Sequence, residues 1–113
     1  MSNIPGDATF VQVATTFDAE KDAEDLAGSV VEARLAACAQ IDGPILSMFR
    51  WEGAMQKERE WRVTFKTTAA LAEPLTERIV SEHPYDVPEV VVTALIGGHR
   101  DYLDWMEDET RRG

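Results

Sequence analysis

Between Glu60 and Lys66 the chain alternates strictly. Trp61, Val63 and Phe65 are apolar, and Glu60, Arg62, Thr64 and Lys66 interleave them. Only a strand, whose side chains point to opposite faces with a period of two, can bury one half of such a run. The segment before it, Ala39 to Trp51, also reads as a strand, broken or bulged at Gly43-Pro44. Proline has no N–H to give a central ladder, so this strand belongs at a sheet edge or carries a bend. Glu52-Gly53-Ala54 supplies the turn, and the two runs form an antiparallel hairpin, which needs only a short loop.

The flanking segments complete the pattern. Phe10 to Thr16 is strand-sized and rich in β-branched and aromatic residues. Ala23, Leu26, Ala27, Val30, Val31 and Leu35 then recur at helical spacing, with Asp18 as the expected cap. A second helix is expected from about Leu71, capped by Thr67 or Thr68, because Pro74 is tolerated only in a first turn. It must end by His83, since Pro84 and Pro88 hold the next residues extended. Val90 to Ile96 reads as a covered strand ended by Gly97-Gly98, and Arg100 to about Arg111 as a last helix.

The order β-α-β-β-α-β-α is that of an α+β fold, a ferredoxin-like βαββαβ sandwich with an additional C-terminal helix. Right-handed crossovers place the first two helices on one face of a four-stranded sheet. Trp51, Trp61 and Phe65 make a bare second face untenable, so the last helix or another subunit is expected to cover it. Residues 1–8 are read as a flexible N-terminal segment and residues 9–113 as a single domain. A chain of this size buries roughly two-thirds of its unfolded surface, so oligomerisation is a natural further source of stability.

Charge excludes several partners. The chain carries 21 Asp and Glu against 11 Lys and Arg, a net charge of −10. Nucleic acid requires a basic patch that neutralises phosphates, and none is present. The RNA-recognition motif shares this architecture, but the acidic balance and the missing aromatic-glycine pattern argue against it. No apolar run approaches the roughly 20 residues that span a bilayer, so no membrane partner is expected. The first residues, MSNIPGDA, have neither a basic nor an apolar stretch of a signal peptide, and the single cysteine, Cys38, allows no internal disulfide. The expectation is a cytoplasmic protein.

Six short motifs, in order along residues 10 to 106, carry a resemblance. They are Ala14-Thr15-Thr16; Arg34-Leu35-Ala36-Ala37-Cys38; Trp51-Glu52-Gly53 with Glu58, Glu60 and Trp61; Lys66-Thr67-Thr68; His83-Pro84-Tyr85 with Pro88-Glu89; and Tyr102-Leu103 with Trp105. Together they resemble the CutA (divalent-cation tolerance) family. Ala39-Gln40 and Ala54 depart from its usual residues. The resemblance implies a homotrimer built like PII-like signalling proteins, in which the long hairpin of one subunit adds to the sheet of the next. It also implies a link to divalent metal, copper especially, motif residues near intersubunit clefts, and no assigned enzymatic reaction.

The residues themselves leave the chemistry open. Cys38 and His83 are the metal candidates, a thiol suiting Cu(I) and an imidazole Cu(II) or Zn(II), with Glu89 as a further oxygen donor. No paired cysteine or histidine motif supports a structural zinc. Cys38 among alanines also reads as a small buried apolar residue, and His83 as a charged residue favoured at a helix C-terminus. Trp51, Glu60, Trp61, Lys66, Tyr102 and Trp105 are candidates for a ligand pocket or subunit interface. Glu60 and Lys66 lie six apart on one strand face, so Lys66 could meet an anion between aromatic walls. His99 reads as a surface residue. No organic cofactor and no catalytic residues are expected; the alternatives to a metal-responsive trimer are a small-molecule sensor and an enzyme using the Lys66 cleft.

Overall fold

The computed structural model describes residues 9–111. Its order is β1 (Phe10–Phe17), α1 (Glu20–Glu32), β2 (Cys38–Trp51), β3 (Ala54–Thr68), a 3-10 turn (Ala69–Leu71), α2 (Ala72–Glu82), β4 (Val91–Leu95) and α3 (Arg100–Glu109). These elements follow one another along the described residues with one sheet among them. The segment 1–8, expected to be flexible, lies outside the described residues, as do Arg112 and Gly113.

The four strands form one antiparallel sheet in the order β2-β3-β1-β4, the α+β arrangement expected of a ferredoxin-like sandwich. Pleating sorts the side chains. Val11, Val13, Phe17, Val63 and Phe65 face α1 and α2, where they meet Ala23, Leu26, Val30, Leu75 and Ile79 in the main core. Each such large side chain, fully buried, contributes about 1.5–3 kcal/mol. On the opposite face α3 packs Leu103 and Met106 over Phe10, Ala37 and Leu95. Ala14, Gln40, Arg62, Val91 and Thr93 also point to that face and are half-buried or exposed.

Two expectations about aromatic residues change. Phe65 is fully buried beneath the helices, and Trp61 is half-buried against the edge of the same core. The odd-numbered positions of β3 pair with Val11, Val13, Thr15 and Phe17 of β1, which assigns them to the helix side. Trp61 and Phe65 therefore lie on the face that α1 and α2 cover and place no demand on the second face. Trp51, at the hairpin tip, is exposed.

The caps also differ. The residue preceding α1 is Ala19, not Asp18, and no side chain caps it; Glu20 and Asp22 sit in the first turn, where their charge suits the exposed N–H groups. Thr67 does not cap α2, because its hydroxyl donates to the Leu35 carbonyl at 2.8 Å, and Thr68 makes no capping bond. At its other end α1 closes through two bonds, Arg34 N–H to the Val31 carbonyl and Leu35 N–H to the Val30 carbonyl. Arg34 adopts the left-handed conformation, φ 62°, that this closure requires. Its guanidinium reaches across to α3, donating to the Glu109 carbonyl at 3.1 Å and pairing with the Glu109 carboxylate.

β1 stops at Phe17 opposite Trp61, yet β2 and β3 continue to the tip. The register shifts between Asp42 and Ile45, at Gly43-Pro44, on the edge strand where proline is tolerated. A side chain at Gly43 would meet the Trp61 ring at 2.8 Å and the Glu60 carbonyl at 2.9 Å, so the bend accepts only glycine. Beyond it the hairpin projects by roughly 20 Å, at about 3.3 Å per residue, and stretches the subunit to 44 × 28 × 25 Å. Glu52 and Gly53, with φ of 51° and 81°, make the two-residue turn whose twist matches the strands.

Two substitutions test this core. Phe65→Ala should lower the unfolding free energy by about 3–5 kcal/mol in urea denaturation. Thr15 is fully buried with no hydrogen-bond partner for its hydroxyl among the described residues. Thr15→Val should therefore leave stability unchanged or raise it by about 1 kcal/mol, since it removes an unsatisfied polar group; a loss above that would mean the hydroxyl is bonded.

Candidate functional site

The expected site residues separate into two constellations at different levels of the sheet. The first lies under α3. Cys38 of β2, Lys66 of β3 and Gln12 of β1 stand in one cross-strand row on the α3 face. The Lys66 ammonium donates to Gln40 Oε1. Tyr102 of α3 stands near Cys38, and burial, then the neighbouring thiol, pushes its phenol pKa up. Trp105 continues the wall, its ring 5.4 Å from that of Tyr102 and tilted by 36°. Cys38 is half-exposed instead of buried among its alanines, because it opens β2 opposite Lys66 while Ala36 and Ala37 fill the core. Sequence reasoning passed over Gln40; its position two residues from Cys38 on the same strand face was the available signal.

The second constellation sits where the hairpin leaves the sheet. His83 ends α2 in an extended conformation and turns its ring inward, 8% exposed and stacked on Phe17 at 4.2 Å. Tyr85 N–H donates to His83 Nδ1 at 3.1 Å, so the ring proton resides on Nε2, which donates to the Thr16 carbonyl at 2.7 Å. The Tyr85 hydroxyl in turn donates to Glu60 Oε2 at 2.8 Å, and Glu60 is 6% exposed. His83 is thus a buried neutral imidazole and not a charged helix-end residue. Burial pushes its pKa down, against the smaller opposing pull of the Thr16 carbonyl and of the Glu60, Asp18 and Asp22 carboxylates. Burial and the Glu60 carboxylate push the Tyr85 phenol up.

The two constellations do not meet. Glu60 and Lys66 share a strand, but one binds Tyr85 and the other Gln40. Thr16, which holds His83, lies four residues along β1 from Gln12 of the Cys38 row, about 13 Å at 3.3 Å per residue. Glu89 is exposed on the segment leading into β4, and Trp51 is at the hairpin tip. Among the described residues no three of His, Cys, Asp and Glu stand together as a metal site. Both nitrogens of His83 are engaged, and Lys66 places a positive charge opposite Cys38, so the donors of one subunit do not fit a metal ion by themselves.

The His83 network sets a pH dependence. A histidine whose folded pKa lies below its unfolded value near 6.5 binds fewer protons when folded, so stability is full above that pH. It should fall as pH drops from about 6.5 toward the lower folded pKa, and His83→Gln should flatten that slope in urea titrations. Tyr85→Phe should cost about 1–3 kcal/mol at pH 7.5, because it leaves Glu60 buried without its donor.

Residues 11–109 match the family model described as CutA1 divalent ion tolerance protein. The chain is 39% identical over 98 residues to the divalent-cation tolerance protein CutA of Thermus thermophilus, covering 87% of this chain and 95% of that protein. It is 44% identical over 86 residues to the chloroplastic protein CutA of Arabidopsis thaliana, covering 76% of this chain but 47% of that protein, so it spans about half the length of this plant relative. Among solved structures, CutA1 from Oryza sativa superposes with a TM-score of 0.89 at 36% identity, covering 94% of this chain and 97% of that one. The motifs, the sheet order and these matches converge, and the chain belongs to the CutA1 family of divalent ion tolerance proteins.

Proposed function

We propose that this protein acts in divalent-cation tolerance, copper above all, as a cytoplasmic PII-like homotrimer whose sites lie between subunits. The observation that carries the assembly is the projecting hairpin. Leu46, Met48, Phe49, Trp51 and Met55 are all 40–65% exposed on it, an apolar surface that a lone subunit leaves in water. The two sheet edges, β2 and β4, each keep a free row of backbone groups. Pairing β2 of one subunit with β4 of the next joins two different surfaces, a head-to-tail contact that closes into a ring when the rotation permits. No described helix is long and apolar enough to cross a membrane, in keeping with this reading.

Any metal bound is then completed across subunits. Cys38 is the accessible soft donor, Glu89 an exposed oxygen donor, and His83 joins only by giving up both of its hydrogen bonds. Lys66 opposite Cys38 favours a second reading, a small-molecule sensor using the Cys38–Lys66–Tyr102–Trp105 row, with Trp61 and Glu60 supporting the hairpin base. Both readings describe a binding protein, not an enzyme, and need no organic cofactor or nucleic acid.

Native mass spectrometry with and without stoichiometric Cu(II) and Zn(II) tests both. A trimer that retains copper, and loses it in Cys38→Ala, supports the metal reading; a trimer indifferent to both ions leaves the sensor. Leu46→Asp with Met55→Asp should give folded monomers, because these side chains are exposed in the subunit and matter only to assembly. A wild-type protein that is monomeric at micromolar concentration would sink the trimer.

A further inference from the structure

Beyond the bulge the hairpin sorts its charges by face. Leu46 pairs with Arg59, Met48 with Lys57 and Arg50 with Met55. Residues opposite each other across strands, or two apart along one strand, point the same way. One face therefore carries three cations and three apolar side chains, all of them exposed. The carboxylates Glu58 and Glu60, opposite Ser47 and Ile45, stand on the other face, and Glu52 is in the turn. Lys21, Arg34, Arg62, Arg78, Arg100 and Arg111 each pair with a carboxylate, but Arg50, Lys57 and Arg59 do not among the described residues. In a chain of net charge −10, this face is complementary to a surface that is acidic and partly apolar.

The chain carries such a surface itself. On α2, Arg78 donates to the Ser29 hydroxyl of α1, which marks the flank turned toward α1. Glu73, Glu77 and Val80 stand roughly 100–160° around the helix from Arg78, at 3.6 residues per turn, and so on the flank turned away. All three are exposed, and neither carboxylate has a cation partner among the described residues. α1 packs chiefly on β2 and β3 and α2 on β1, so this flank lies toward the β4 edge. The extra residue of the bulge is on β2, so the odd-numbered positions of β3, down to Met55, keep the side of α1 and α2. A sheet continued from β2 of one subunit into β4 of the next keeps its two sides. The basic hairpin face then arrives beside the acidic flank of α2. The spacings agree as well: Lys57 and Arg59 are about 6.6 Å apart along a strand, and Glu73 and Glu77 about 6 Å apart along a helix.

We propose that the basic face of the hairpin docks on α2 of a second copy of this chain, with Lys57 and Arg59 paired to Glu73 and Glu77 and the apolar side chains of the face covering Val80. This rests on the assembly reading above and names the surface that receives the hairpin. It also gives the contact a direction. Two hairpins brought face to face would oppose like charges, whereas hairpin against α2 joins opposite ones, so the charges select a head-to-tail contact over a two-fold one.

Charge exchange in the full chain, read by sedimentation equilibrium and native mass spectrometry at low salt, tests it. Lys57→Glu with Arg59→Glu should raise the concentration at which the assembly half-dissociates by about tenfold or more. Glu73→Lys with Glu77→Lys should do the same, although it lowers the net negative charge of the chain, and weaker self-repulsion alone would tighten the assembly. The four substitutions together should return assembly to near the wild-type value, because the pairs are then opposite again. All four positions are exposed, so each variant should unfold in urea as the wild type does. An assembled wild type unmoved by either reversal, or a combined variant no better than the two pairs, would overturn the docking and leave the assembly standing. A trimer that persists in Lys57→Glu with Arg59→Glu while losing affinity for phosphatidylserine vesicles would overturn it too, and give the face to a membrane. A monomeric wild type removes the assembly and this contact together.

Discussion

Everything in this subunit hangs on β1. It is the only strand flanked by both β3 and β4, and it presents Val11, Val13 and Phe17 to the helices and Phe10 to α3. Its length also decides where the sheet ends. Because β1 stops at Phe17 while β3 runs on toward Ala54, the hairpin has to leave the body of the molecule. The bulge at Gly43-Pro44 lies level with that end, where an extra residue bends the edge strand without cutting a central ladder.

The end of β1 is also where a dense polar network has been buried. Thr16 offers a carbonyl, Phe17 a ring face, and His83 and Tyr85 bridge them to Glu60 at the root of the hairpin. Satisfied networks in a low-dielectric setting specify one geometry strongly. Here it ties together three segments far apart in sequence, so the direction of the hairpin follows from hydrogen bonds and not only from apolar contact. The Lys66 row, at the other level of the sheet, is held more lightly: the Lys66 ammonium donates to the Gln40 amide at the exposed surface.

The sheet and its helices were legible because periodicity is a local signal. The alternation from Glu60 to Lys66 and the helical spacing of Ala23, Leu26, Ala27 and Val30 each imply a buried face whatever surrounds them. Caps were less legible: Asp18 and Thr68 have the right chemistry, but Thr67 was drawn into a bond with Leu35 and α1 began after Ala19. The face assigned to Trp61 and Phe65 depended on which of two identical-looking alternations met the helices, a choice made by pairing with β1 and not by β3 itself. The role of His83 was not legible at all. Its partners are a backbone carbonyl 67 positions away and a backbone N–H, and neither is encoded by a side-chain type. Gln40 is a similar case, meaningful only once β2 is laid beside β3.

The junction between α1 and α3 has a dynamic consequence. α3 buries only Leu103 and Met106, and its far end is held by the Arg34 guanidinium reaching from a left-handed turn on the other side of the sheet. α1 buries Ala23, Leu26, Ala27 and Val30 and α2 buries Ala72, Leu75 and Ile79, whereas α3 buries two residues. Layers with few buried apolar contacts open at lower free energy than the body they cover. α3 is therefore the part of the subunit that can lift locally while the sheet stays intact. Salt, which screens the exposed Arg34–Glu109 pair, shifts that local opening without touching the core.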